Sequence, residues 1–133
     1  ERAPVAYLDY TLASWTKSKD LSAFSEAALA EYRTHYATPE HIHATCNDYR
    51  AGATIDLVID SADVAAGRKI GCATLALWGT SGIPSETDGP LETWRKWCVN
   101  VEGHGIASGH FIPEENPDAL LGALLPFLEA HGH

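Results

Sequence analysis

Residues Ala73 to Gly79 read ATLALWG, a short continuous apolar run ended by glycine. Such a run is expected of a strand buried on both faces, and strands of that kind belong to parallel sheets covered by helices. The next segment, SETDGPLETWRKWC from Ser85 to Cys98, predicts a helix that starts at Pro90 and carries Leu91, Trp94 and Trp97 at i, i+3 and i+6. A second strand follows through Val99, Val101 and Ile106, and a loop then carries His110 within IASGHFIPEENP, Ile106 to Pro117. The closing NPDALLGALLPFLEA predicts a helix that covers the sheet with Leu120, Leu121, Leu124 and Leu128, kinked where Pro126 removes a hydrogen bond. The two strands should be parallel neighbours at one edge of an incomplete sheet, because parallel strands need partners at their edges and helices on both faces. This half therefore reads as the end of a doubly wound α/β domain, where ligands gather at the carboxyl ends of the strands. His110 lies just past one of those ends.

Upstream of ATLALWG the pattern is helical. Leu12, Trp15, Phe24, Ala28, Leu29 and Tyr32 recur at helix-like spacing, and Thr38 followed by Pro39 reads as an N-cap with proline at the first helical position. A further helix is expected to carry Ile42, Cys46, Tyr49 and Ala53 on one face. AAGRKIGC, Ala65 to Cys72, interrupts the pattern with two glycines and a basic pair. The break divides the chain into residues 1–66, a helical segment expected to pack as a separate layer over the strand ends, and residues 67–133, the strand-bearing part.

Composition narrows the function. The chain has 133 residues, 45% of them apolar, enough for one core. Its formal charge of −9, with nine scattered basic residues, argues against nucleic acid or an anionic membrane as partner. No apolar run approaches bilayer-spanning length and no basic n-region precedes an apolar h-region, so a cytoplasmic location is expected. Cys46, Cys72 and Cys98 are odd in number and widely spaced, predicting reduced, buried thiols without disulfide or zinc. The pairs His41/His43 and His131/His133 are not expected to bind metal: H-x-H on a helix turns its rings to different faces, and a terminal H-G-H reads as a frayed tail. The chain contains no methionine and opens on ERAPVAYLDY, which reads as part of a longer polypeptide.

Several motifs together carry a family resemblance. CNDYRAGATIDL (Cys46 to Leu57), AGRKI with LALWG (Ala66 to Gly79), PLETWRKW (Pro90 to Trp97) and SGHFIPEENPD (Ser108 to Asp118) resemble the carboxyl-terminal half of the haloacetate dehalogenases. These form the fluoroacetate dehalogenase group of the α/β-hydrolase fold. The resemblance runs from TLASWTKSKDLSAF (Thr11 to Phe24) to the end. It implies a helical cap segment followed by the last two parallel strands and helices of the core, and a cofactor-free hydrolase. In that chemistry an aspartate displaces halide from carbon, and a histidine-activated water then hydrolyses the ester. The implied partners are a small haloacid, halide and water, with a homodimer or association with an amino-terminal half as the protein-level options.

By the same resemblance, His110 in SGHF matches the catalytic base, a role suited to imidazole because its ordinary pKa lies near neutrality. Tyr49 in DYR matches the cap tyrosine that helps hold the leaving halide, and Trp15 in LASW matches a tryptophan lining the substrate pocket. Residues alone offer blander readings: a satisfied loop histidine, a core tyrosine on a helix face, and a core aromatic at helical spacing. The family's nucleophile, carboxylate-binding arginines and orienting aspartate belong to its upstream half, which this sequence lacks. Gly79 to Gly82 (GTSG) lacks the spacing of a serine elbow, GHGIASG from Gly103 to Gly109 misses G-x-G-x-x-G by one position, and Asp88 is a poor substitute for the orienting acid. A related α/β-hydrolase such as an epoxide hydrolase, and a non-catalytic scaffold, remain as alternatives.

Overall fold

The computed structural model describes residues 3–82 and 89–132, and Asp88 and His133 lie outside them. Four helices come first: α1 (Pro4–Trp15), α2 (Glu26–Tyr36), α3 (Pro39–Gly52) and α4 (Ile55–Ala65). Local chemistry sets their starts. Pro4 and Pro39 occupy first-turn positions where a missing N–H is harmless, and the hydroxyls of Ser25 and Thr38 accept from the amides of Ala28 and His41. Each of these helices packs against the next. The arrangement of α1 on α2 is fixed by a core of Leu12, Phe24 and Leu29, joined by Leu8, Leu21 and Ala23. A two-pronged ion pair reinforces it, with Arg33 Nε and Nη2 donating to Asp9 Oδ1 and Oδ2 at 2.9 and 3.0 Å.

The expected single helix through Ala53 ends one residue earlier. Ala53 caps α3, and after Thr54 the separate helix α4 begins, a division that apolar spacing did not reveal. The helical pattern then stops at Ala65, and β1 (Ile70–Gly79) begins within the glycine-bearing break.

The strands β1 and β2 (Cys98–Ile106) are joined by α5 (Pro90–Trp97) and pair in parallel, with Ala73 opposite Asn100, Leu77 opposite His104 and Gly79 opposite Ile106. The expectation of parallel neighbours is met. Burial on both faces of β1 is not: Ala76 and Gly79 are buried, Leu75 and Leu77 are half-buried, and Ile70 to Cys72 are exposed. Two strands packed by α5 and α7 offer too little surface to cover both faces. The same geometry corrects the cysteine reading, since Cys98 is buried but Cys72, at the open end of β1, is exposed and Cys46 is half-buried; all three are free.

Past β2 come a one-turn helix, α6 (Ile112–Glu115), and α7 (Pro117–His131). Asn116 caps α7 by accepting from the Ala119 amide, and the helix runs through Pro126 without interruption. The leucine stripe expected is covered in part: Leu120 and Leu124 are half-buried, whereas Leu121 and Leu128 are about half exposed, and Ala123, Pro126, Phe127 and Ala130 line a hollow with Leu75 and Gly103.

Candidate functional site

The loop after β2 is built to be held from both sides. Its amides and carbonyls continue the sheet: Thr80 N–H donates to Ile106 O at 2.9 Å and Ser81 N–H to Ser108 O at 3.0 Å, while the Ser108 side chain is almost fully buried. Gly109 is squeezed between the end of β1 and the end of α1. A Cβ on Gly79 would lie 1.7 Å from Gly109 O, and one on Gly109 would lie 2.5 Å from Lys17 N and 2.6 Å from Trp15 O. Only glycine permits this approach.

Opposite the loop, the chain leaving α1 wraps around the fully buried Thr16. Its hydroxyl lies 2.9 Å from the carbonyl oxygens of both Ala13 and Asp20, and accepts from the Asp20 amide at 3.2 Å. Asp20 in turn accepts from the Ser22 hydroxyl and amide and the Ser18 hydroxyl, which hold its carboxyl below the ordinary value.

Between these two segments sits His110. Its amide donates to Trp15 O at 2.9 Å, and its ring meets the Trp15 ring edge-on with centroids 4.8 Å apart. Phe111 follows it into the helical core, packing at 5.3 Å against Phe24, so the loop is anchored on one side of the histidine by apolar burial. The His110 side chain is left exposed, at a hollow of about 230 Å³ lined also by Ser14, Trp15, Lys19, Ser81 and Gly82. Lys19 has a left-handed backbone, φ 64°, and its ammonium donates to Ser14 O at 2.8 Å. Among the described residues no hydrogen bond or ion pair joins a carboxylate to the His110 ring, and no group of three or more His, Cys, Asp or Glu side chains could hold a metal.

Trp15 and His110 are thus brought together. Tyr49 is not part of that grouping: it is 67% exposed and lines a second hollow of about 330 Å³ between α1 and α3, with Tyr7, Tyr36, Ile42 and Cys46. Tyr7 and Tyr36 stack there at 6.4 Å.

The paired glutamates were not assigned a role from sequence, yet both tie the loop to the helices. Glu114 accepts a short hydrogen bond from the Tyr32 hydroxyl on α2, and this bond, with burial and the carboxylate charge, raises the Tyr32 pKa. Glu115 Oε2 accepts from Lys17 N–H at 2.7 Å and Gly109 N–H at 2.8 Å, and Oε1 accepts from Phe111 N–H at 3.0 Å. Burial pushes the Glu115 carboxyl up, but the three amides and the Lys19 charge outweigh it and hold it below its ordinary value. The available signal was a glutamate four residues after Phe111, in reach of its own loop, one position beyond the spacing of a capping box.

Comparison with known proteins agrees with this architecture. No protein-family model matches the chain. In sequence it is 33% identical over 105 residues to a fluoroacetate dehalogenase from Burkholderia sp, covering 79% of this chain and 34% of that protein. It is 29% identical over 107 residues to a soluble epoxide hydrolase from Corynebacterium sp. (strain C12), covering 80% and 35%. In structure it superposes on ALR0039 from Nostoc sp PCC 7120, provisionally assigned as an α/β hydrolase, with a TM-score of 0.88 and 45% identity over 96% of this chain and 42% of the other. The chain spans about a third of the length of these curated relatives.

Proposed function

We propose, for a chain that has the fold of the carboxyl-terminal part of an α/β hydrolase and resembles a fluoroacetate dehalogenase, that it supplies the hydrolytic base and cap of a haloacetate dehalogenase. The observation that carries the reading is the seat of His110. It lies on the loop at the carboxyl end of a parallel strand, packed on Trp15 and open to a hollow, the position at which ligands meet α/β sheets. Residues 1–66 serve as the cap and residues 67–133 as the core portion. A carboxylate from the length that this chain does not span attacks the carbon bearing halogen, expelling halide and forming an ester. His110 then takes a proton from water, and the resulting hydroxide attacks the ester carbonyl, releasing the hydroxyacid and the free carboxylate. Trp15 lines the substrate hollow, and the exposed Tyr49 hydroxyl on α3 is assigned as a donor to the departing halide in the complete protein.

The test uses this chain joined to the nucleophile-bearing portion of a relative. Halide release from haloacetate is expected from the joined protein and not from the chain alone. His110→Ala should stop after one displacement, leaving an alkylated aspartate visible by mass spectrometry; normal turnover by that variant, or halide release from the chain alone, would overturn the reading. The likeness to a soluble epoxide hydrolase supports a second reading with the same base and an epoxide as substrate. Diol formation from epoxides without halide release from haloacids would favour it.

A further inference from the structure

We propose that Glu115 is the positioning residue of the site, its carboxylate seating His110 by holding the amides on both sides of it and fastening them to the end of α1. This rests on the reading of His110 as the base. Two of its three donors, Gly109 and Phe111, flank His110 in sequence: the Phe111 N–H belongs to the peptide unit that leaves His110, the Gly109 N–H to the unit one residue before the one that enters it, and the N–H of that entering unit, His110's own, donates to Trp15 O. The third donor, Lys17, lies two residues beyond Trp15, the ring against which the imidazole rests. One side chain thereby fixes the histidine and its aromatic support in a single frame.

A purely local role explains too little. Reaching back to the Phe111 amide is what a glutamate does when it caps a short helix, and it accounts for one of the three bonds. The bonds to Gly109 and Lys17 leave the helix, and the second bridges elements 98 residues apart. Nor does Glu115 line the hollow at which the His110 ring is exposed, so it acts through the histidine rather than on substrate. The chemistry demands a carboxylate of this length. Only an ionised acid presents acceptor lone pairs alone; glutamine would turn its NH2 donors toward at least one of the three N–H groups, and aspartate is shorter by one methylene.

The experiment has two arms. In this chain, followed by nuclear magnetic resonance, the amide signals of Lys17, Gly109 and Phe111 should shift together as one carboxylate titrates. Glu115→Gln should abolish that shared step and move the His110 ring resonances while leaving the Trp94 indole unmoved. Absence of a shared titration in the unsubstituted chain overturns the proposal, and that arm needs no variant to fold. In the joined protein described above, Glu115→Gln should lower kcat by roughly 10- to 100-fold with little change in KM, the loss expected when a reacting group is misplaced by about 1 Å. An unchanged kcat, where His110→Ala is arrested, overturns the positioning role and leaves the function standing. If His110→Ala turns over normally, the function falls while the first arm still judges the carboxylate.

Discussion

Glu115 and Thr16 are polar side chains that hold a loop to a helix by satisfying backbone groups that would otherwise be orphaned. For Glu115 the arrangement makes stability depend on pH. A carboxyl whose pKa is lower in the folded than in the unfolded chain adds stability above its unfolded value and loses it as pH falls through its folded value. The original chain should therefore lose more stability than Glu115→Gln when pH is lowered from about 7 to about 3, through the ordinary glutamate range. Asp20, shifted in the same direction, and the nearby Lys17, Lys19 and His110 are common to both proteins, so their contributions largely cancel. Urea unfolding followed by circular dichroism at each pH measures the difference; parallel losses in the two proteins would count against it.

The elements divide into those that bury their apolar side chains within this chain and those that do not. The α1–α2 pair does, with Leu12, Phe24 and Leu29 each less than a tenth exposed. Leu29→Ala is expected to cost about 2–4 kcal/mol, the range for a large-to-small change in a core that cannot collapse fully. Helix α7 is different. Leu120 and Leu124 are half-buried and Leu121 is 47% exposed, so Leu121→Ala should change stability by less than about 0.5 kcal/mol. Denaturant midpoints for the two variants decide the matter, and a loss at Leu121 matching that at Leu29 would mean that Leu121 is packed in solution.

At the scale of the molecule, apolar surface among the described residues is left open on α1 and α7, and most of all on α4 and the sheet. On α4, Ile55, Leu57, Val58 and Ile59 are all more than half exposed, and on the sheet Val99 is 72% exposed. No described helix is long and apolar enough to cross a membrane. Exposed apolar patches of this kind mark surfaces that associate with protein. The chain in native buffer should bind the dye ANS with a rise in fluorescence, and joining it to the nucleophile-bearing portion of a relative should reduce that rise. Equal fluorescence before and after joining would mean that this surface stays open in the larger protein.

Much of the fold was legible in the sequence because it is written locally. ATLALWG announced a parallel strand, Thr38–Pro39 a helix start and Pro90 another, since capping groups and apolar runs act over a few residues. His110 and Trp15 were likewise named from motifs, and the structure brings their rings together. Other features depended on distant partners. The break between α3 and α4, the exposure of Leu121 and Leu128 on α7 and the exposure of β1 follow from what each element meets in space, which spacing along one element does not encode. The carboxylate of Glu115 shows the limit most plainly. The sequence by itself determined that a glutamate stands near the histidine, but only the tertiary structure decided that it grips Lys17, 98 residues away, because a hydrogen bond forms wherever folding leaves a donor and an acceptor about 3 Å apart, however far apart they lie along the chain.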